Sequence, residues 1–228
     1  MTCSTGGKRQ TGLTSERRRR MTEKANTCSS KEIAAFQGLF ALARDGRHYS
    51  SIKVQDIASA AGVGKGTLYE YFSSKEEIIS RAVFYALEQL LGRLEQSMQE
   101  MTTLRCILEH FFDGLNDERV LPFAALSELI ASVPLEQRKF LEEHSPSDKE
   151  RTYRRLQQAE QQLLSAGRRT GEIDPALTDR FCEYVILSAL FGQTASCRIS
   201  RAKASDPAQR RMAVEMICRA LRPRDNRG

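Results

Sequence analysis

The residues whose types and spacing most clearly suggest a chemistry lie in segment 54–77, where glycine, lysine, threonine and tyrosine alternate with apolar positions. Apolar residues recur at helical spacing before Gly62 and again after Gly66. This pattern predicts a helix, a tight glycine turn and a second short helix. In a helix-turn-helix, the second helix enters the major groove of DNA. The segment therefore indicates a DNA-binding surface.

The second of these helices has too few apolar positions to be buried on all sides. Leu68 and Phe72 lie one turn apart and are expected to face the core. Gly64 and Gly66 flank the helix start, although an interior glycine costs about 1 kcal/mol relative to alanine. We therefore expect the backbone here to approach phosphates or base edges closely, with Lys65 placed to reach guanine O6 and N7.

Lys75 begins the next predicted helix, where the helix dipole disfavours a cation by up to about 1 kcal/mol. A phosphate bound at that helix start would reverse the preference. The alternatives are that Lys75 is a solvated charge and that Tyr69 and Tyr71 are core residues. Their occurrence in one register with the glycine turn favours DNA contacts for all three.

The net charge of the chain does not by itself indicate DNA binding. The formal net charge is +6, and residues 1–30 alone contribute +5, whereas residues 31–79 carry equal numbers of basic and acidic residues. Residues 1–28 are predicted to be a disordered basic arm. Its run Arg17–Arg20 either adds phosphate contacts, as minor-groove arms do, or remains solvated.

Several function classes find no support in the 228 residues. No apolar run approaches the roughly 20 residues of a membrane span, and the N-terminus has no secretory pattern, so a cytoplasmic location is expected. The three histidines lack metal-ligand spacing, and no catalytic or nucleotide-binding motif is present. We therefore predict no enzyme activity, no cofactor and no metal. The six scattered cysteines are expected to be reduced thiols.

The periodicity predicts an all-α chain with four regions: the arm 1–28, a helix-turn-helix domain at 29–76, a helical domain at 77–222 and a tail at 223–228. Ser29 and Glu32 form a capping-box pattern that opens the first helix. We assign the cap of the next helix to Ser51. Beyond residue 74, predicted helices span 75 to about 101, 103–116, 122–132, 135–143, 148–167, 175–198 and 207–221, with Asp174 as the cap before the helix at 175.

Residues 55–58 and 61–77, which read QDIA and AGVGKGTLYEYFSSKEE, resemble the N-terminal domain of TetR/AcrR-type transcriptional regulators. The resemblance implies a three-helix DNA-binding domain joined to a helical ligand-binding domain, in a homodimer that binds a palindromic double-stranded operator. Carried over by position, it implies that Gln55 and Lys65 read bases. The phosphate contacts that it implies are those of Thr67, Tyr69, Tyr71 and Lys75.

The resemblance further implies a repressor that is released from DNA by a small, largely apolar molecule. The alternative is a thiol-redox-responsive regulator without a small-molecule inducer. Aromatic residues of the second domain either line the ligand pocket or form ordinary core. The candidates are Phe84, Phe111, Phe112, Phe123, Tyr153 and Tyr184.

The predicted helices at 175–198 and 207–221 resemble the pair that forms the dimer interface in this family. Small residues on the first of them would let a second helix approach closely. Packing within one chain is the alternative. The candidate interface residues are Val185, Ser188, Ala189, Gly192, Met212, Met216 and Ile217.

Overall fold

A computed structural model describes residues 28–114, 129–134, 139, 146–199 and 207–223, and every regular element within these ranges is helical. The helices are α1 (Ser30–Arg44), a 3₁₀ turn (Tyr49–Ser51), α2 (Val54–Ala60), α3 (Lys65–Tyr71), α4 (Lys75–Glu100), α5 (Leu104–Gly114), α6 (Pro146–Arg169), α7 (Asp179–Ile199) and α8 (Pro207–Leu221). The all-α prediction is confirmed for this part of the chain. The arm at 1–27 and most of the predicted helix 135–143 lie outside the described residues.

Side-chain caps fix two of the predicted helix starts. The Ser29 hydroxyl accepts a hydrogen bond from the Glu32 N–H at 3.3 Å, and the Glu32 carboxylate accepts from the Ser29 N–H at 2.6 Å. At the start of α4, the Ser74 hydroxyl accepts from the Glu77 N–H at 3.1 Å. These bonds satisfy amides that have no partner within the helix, so both predicted starts are confirmed.

The predicted cap of α2 is wrong. Ser51 lies in the 3₁₀ turn, and its hydroxyl donates to the His48 carbonyl at 2.9 Å. The residue that caps α2 is Lys53, whose N–H donates to the Asp56 carboxylate at 3.0 Å. The helix start is therefore capped by the Asp56 carboxylate instead of by the predicted serine hydroxyl.

The predicted cap of α7 is also wrong. The Asp174 carboxylate accepts from the Ala176 N–H at 2.9 Å and so closes a turn before the helix. The hydroxyl of Thr178 accepts from the Phe181 N–H at 3.3 Å, and α7 begins at the next residue, Asp179. The helix therefore starts four residues later than the Asp-Pro pattern predicted.

The first core joins α1, α2, α3 and the N-terminal half of α4. Its fully buried members include Phe36, Ile57, Leu68 and Ile79. A short segment of the second domain also enters this core, because Leu129 and Val133 are buried in it. The hydroxyl of Ser132 accepts a hydrogen bond from the Tyr49 N–H at 3.0 Å. The N-terminal helices are thus fastened to the later part of the chain by side-chain contacts as well as by chain continuity.

The second core joins α5, α6, α7 and α8. The C-terminal half of α4 packs against it through Leu90, Leu94 and Met98. Arg155 of α6 pairs with Glu95 of α4 at 2.6 Å and also with Glu88 of the same helix. Since α4 contributes to both cores, the predicted boundary at residue 76 lies at the start of a helix that connects them.

Gly38 sets how closely α1 approaches α2. A Cβ atom at this position would lie 2.8 Å from the Ala61 backbone nitrogen and 3.0 Å from the Ile57 carbonyl oxygen. Both neighbours are backbone atoms of the helix that packs on α1, so they cannot move aside alone. Glycine is required here by the distance between the two helices.

We predict that Gly38→Ala lowers the free energy of unfolding by about 1–3 kcal/mol, because the added methyl group overpacks the contact between α1 and α2. The measurement is urea-induced unfolding followed by circular dichroism. Gly92→Ala in α4 is the control, because its Cβ meets nothing within 4 Å. We expect that control to keep or raise stability by up to about 1 kcal/mol. Equal stability of the two variants would contradict the close-contact interpretation.

Candidate nucleic-acid interface

The turn between α2 and α3 is built as the sequence predicted. Gly62 has a φ of +67°, in the left-handed region that side chains other than glycine rarely adopt. Leu68 and Phe72 of the short helix α3 are buried, and the Phe72 ring lies 5.8 Å from that of Phe36 in an edge-on contact. These contacts fasten α3 to α1 and leave its other side in solvent.

The structure brings the predicted α3 residues together on that solvent side. Lys65 and Gly66 are exposed, Thr67 is half-buried, and Tyr69 and Tyr71 are 52% and 37% exposed. The Lys65 ammonium lies 5.8 Å from the centre of the Tyr69 ring. The two tyrosines are therefore not core residues, and the proposed contact surface is accessible.

The α2 residue assigned to base reading lies in the first turn of that helix. Gln55 is exposed, and its backbone carbonyl accepts a hydrogen bond from the Ser59 hydroxyl at 2.9 Å. Its side chain is exposed to solvent at the start of α2. The structure is compatible with its predicted role and gives it no structural role in the core.

The glycines that flank the start of α3 have no packing reason in the described structure. A Cβ on Gly66 would meet nothing within 4 Å, and a Cβ on Gly64 would meet only the Thr67 hydroxyl oxygen at 3.7 Å. Their φ values do not require glycine either, since only Gly46, Gly62 and Gly171 have a positive φ among the described residues. The packing and backbone conformation of the described residues therefore do not explain either glycine.

Lys75 has an intramolecular partner that the sequence did not reveal. Its ammonium donates to the Tyr49 carbonyl at 3.2 Å and lies 4.1 Å from the centre of the Tyr49 ring. The Tyr49 hydroxyl donates to the Glu76 carboxylate at 2.8 Å, and burial together with this carboxylate raises the pKa of Tyr49 to about 12. The position of Lys75 at a helix start therefore has a structural explanation, and a phosphate is not needed to account for it.

One residue of α3 escaped the sequence reasoning. Glu70 is exposed, and no hydrogen bond or ion pair is recorded for it within the described part of the chain. It lies two positions after the buried Leu68, which places it about 200° around the helix from that residue. The helical period alone could have shown that Glu70 lies at the centre of the outward face.

A cavity of about 140 Å³ lies among α4, α5, α6 and α7. Ten of its lining side chains are apolar, and the other two are Glu160 and Glu183. The apolar ones are Leu90, Leu91, Leu94, Leu108, Phe111, Leu156, Leu163, Ile186, Leu187 and Leu190. The packing of four amphipathic helices therefore leaves an apolar space in the second domain.

Of the six predicted pocket aromatics, Phe111 lines this cavity. Phe112 instead lines a cleft of about 350 Å³ between α5 and α8, and Phe84 is buried in α4. Tyr153 and Tyr184 are exposed on α6 and α7. Phe123 lies outside the described residues. The leucines that line most of the cavity were missed because their spacing is indistinguishable from that of ordinary core.

The predicted interface residues divide between surface and core. Met212 and Met216 are exposed on α8, and Ser188 and Gly192 are exposed on α7. Val185 is half-buried against the second core. Ala189 and Ile217 are instead fully buried in that core, so neither is available to a partner chain. For these two side chains the intramolecular alternative is the correct one.

We also searched the described residues for a metal-ion site, a membrane-spanning helix and reactive thiols. No group of three or more His, Cys, Asp or Glu side chains could hold a metal ion there. No helix in those ranges has the length and apolar character needed to cross a membrane. Burial raises the pKa of the Cys182 thiol and that of the Cys218 thiol. Both are free thiols, and a raised pKa leaves less of the reactive thiolate at neutral pH.

Comparison with known proteins identifies the N-terminal segment. Residues 46–82 match the family model described as bacterial regulatory proteins, tetR family. The chain is 36% identical over 64 residues to the fatty acid metabolism regulator protein of Bacillus subtilis, covering 28% of this chain and 32% of that protein. It is 35% identical over 57 residues to the HTH-type transcriptional repressor KstR2 of Mycolicibacterium smegmatis, covering 25% and 28%. The matched segment thus spans about a third of the length of these relatives.

The fold extends the likeness beyond that segment. The structure is similar to that of the transcriptional regulator FadR from Bacillus subtilis in complex with stearoyl-CoA, with a TM-score of 0.63 and 22% identity. The match covers 84% of this chain and 98% of that one. The second domain therefore shares its fold with the corresponding part of that structure.

We predict that Gly66→Ala separates folding from DNA binding. The added methyl group meets no protein atom, so the free energy of unfolding should stay the same or rise by up to about 1 kcal/mol. On the outward face of α3 the same methyl group would block close approach, so affinity for duplex DNA should fall roughly ten- to hundredfold.

The measurement is fluorescence anisotropy with a duplex that the wild-type chain selects from a random pool. Gly92→Ala, which adds the same methyl group far along α4, serves as the matched control and should bind as the wild type does. Wild-type affinity in Gly66→Ala would show that the glycine does not serve DNA approach.

Proposed function

We propose that this chain, whose residues 46–82 match the tetR family of bacterial regulatory proteins, is a ligand-responsive homodimeric transcriptional repressor. In this proposal it binds a palindromic operator through α3 and releases it when a small, largely apolar molecule binds the second domain. The observation that carries the proposal is the outward face of α3, where two glycines without a packing role flank an exposed lysine.

The DNA contacts follow from the positions of the side chains. Lys65 and Gln55 would read base edges, and Lys65 is the better placed for guanine because its ammonium extends from the first turn of α3. Thr67, Tyr69 and Tyr71 would donate hydroxyl hydrogen bonds to phosphates. Lys75 uses its ammonium on Tyr49 through one hydrogen bond, and an ammonium has three donors, so a phosphate contact is still available to it.

A homodimer would place two copies of α3 in successive major grooves, about 34–36 Å apart. The support for a dimer is the apolar surface of α7 and α8, which we call the α7–α8 face. It consists of Phe181, Tyr184, Phe191, Met212 and Met216, all exposed in the single chain. Monomeric proteins rarely expose contiguous apolar patches larger than a few hundred Å², so this face is suited to a second copy.

The ligand site of the proposal is the apolar cavity among α4, α5, α6 and α7. A volume of about 140 Å³ matches a group the size of a benzene ring. The FadR structure that resembles this chain holds stearoyl-CoA, and an acyl chain of that length would not fit without separation of the four helices. A ligand that needs this separation binds the opened state more tightly, which is how it would shift the conformation of the domain.

The shift would reach α3 through α4, which lines the cavity at Leu90 and Leu94 and is buried in the first core at Ile78 and Ile79. A rotation of α4 about its C-terminal half would change the separation of the two α3 helices in the dimer. The thiol alternative has less support, because burial raises the pKa of both Cys182 and Cys218.

We predict different effects for two lysine substitutions. Lys65→Ala should relax base preference at one operator position by about 1–3 kcal/mol. Lys75→Ala should weaken binding to all sequences alike. It should also lower the steepness of the plot of log affinity against log salt concentration by about one, because one phosphate contact is lost. The measurement is a titration of each variant against the selected duplex and its single-base variants at several salt concentrations.

Thermal unfolding of both variants is the control, because Lys75→Ala also removes the contact with Tyr49. Operator affinity that is unchanged in both variants would overturn the assignment of α3 as the DNA-reading helix.

We predict that Tyr184→Asp prevents dimer formation, because it places a charge in the centre of the α7–α8 face, where Tyr184 is 71% exposed. Sedimentation equilibrium should give twice the chain mass for the wild type and the chain mass for the variant. Tyr153→Asp is the matched control, since Tyr153 is also exposed but lies on α6. A wild type that sediments as a monomer would refute the homodimer.

A further inference from the structure

We propose that Glu70 is a specificity-determining residue that selects cytosine at one position in each half-site. This inference rests on the proposed function, since it assigns a task to one more side chain of the DNA-facing helix. The observation behind it is that a negatively charged carboxylate lies on the face of α3 that is expected to contact DNA, although DNA phosphates repel a carboxylate.

The position of Glu70 follows from the buried residue of α3. Leu68 is 1% exposed and lies two residues before Glu70. With 3.6 residues per turn, Glu70 projects from the side of α3 roughly opposite to Leu68. Gly66 lies one turn earlier on the same side and is exposed. Glu70 therefore follows the glycine along the line where α3 would approach DNA most closely.

The flanking residues support this placement. Lys65 and Tyr69 lie on one side of the line and Thr67 and Tyr71 on the other. These are the side chains with groups suited to phosphates and guanine. Glu70 thus stands between two rows of DNA-binding groups.

Within the part of the chain that the structure describes, no ion pair or hydrogen bond is recorded that would hold Glu70 for structural reasons. Other carboxylates in α1 and in the first turn of α4 do have structural partners. Glu32 and Glu77 each accept capping hydrogen bonds and pair with Arg81, and Glu76 accepts from the Tyr49 hydroxyl. Glu70 makes no such contact among the described residues, so its negative charge has no structural explanation within them.

The chemistry of base edges supplies a reason. A carboxylate is only an acceptor, so it is repelled by phosphates and by the N7 and O6 acceptors of guanine. Cytosine presents the N4 amino donor in the major groove without a neighbouring acceptor on the same base. Adenine presents a donor too, but its N7 acceptor lies beside it. Among the four bases, a glutamate at this position therefore favours cytosine.

The test uses the full chain and three variants: Glu70→Gln, Glu70→Ala and Glu150→Gln. Each is used to select duplexes from a random pool, and affinities are then measured for the selected duplex and its single-base variants. Glu150→Gln removes one negative charge from α6, where Glu150 pairs with Arg154, and controls for a general electrostatic effect. Because Glu70 is exposed and holds no structural contact, all variants should keep the wild-type melting temperature.

We expect the wild type to prefer cytosine at one position of each half-site by about ten- to hundredfold. Glu70→Ala should lose that preference, and Glu70→Gln should shift it towards adenine, which a carboxamide can contact through both N6 and N7. Glu150→Gln should keep the wild-type preference. A Glu70→Ala variant that binds all sequences more tightly by the same factor, with the cytosine preference intact, would overturn the inference and leave the proposed function standing. A wild type that selects no sequence would instead overturn the proposed function and this inference with it.

Discussion

The continuity of α4 is the constraint on which the rest of the structure depends. This helix has 26 residues, about 39 Å of length, and its two halves are buried in different cores. Close-packed cores transmit small displacements without absorbing them. The apolar cavity and the core that holds α3 therefore share one helix, α4. The contact of Ser132 with the Tyr49 backbone adds a second tie at the same end of the molecule.

The conformation of α3 depends on the first core. Seven residues are too few to form a stable helix alone, so α3 depends on the burial of Leu68 and of Phe72, which directly follows the helix. Lys65, Gly66 and Glu70 are exposed and take no part in this packing. Since residues 31–79 have no net charge, the proposed affinity for DNA would come from the positions of individual groups and not from the general field of the domain.

Local patterns determined what the sequence could predict. The Ser29 and Glu32 capping box and the Gly62 turn each depend on a few neighbouring residues, and both are confirmed. The predicted cap at Ser51 is wrong because the Asp56 carboxylate accepts from the Lys53 N–H instead. The predicted cap at Asp174 lies in a turn, where its N–H donates to the Leu221 carbonyl of α8, a distant contact that the local Asp-Pro pattern does not show. Ala189 and Ile217 were assigned to a partner because α7 and α8 are apolar on more than one face, and sequence alone does not say which face the chain itself covers.

Under the proposed function, the chain contacts DNA through α3 while the second domain stays free to bind its ligand. Amide hydrogen exchange of the wild-type chain, measured with and without a selected duplex, tests this proposal without altering any residue. We expect slowed exchange on DNA binding to be concentrated at residues 64–71 and at the first turn of α4, with α5 and α6 unchanged. Slowed exchange in α5 and α6 with none at residues 64–71 would contradict the proposal.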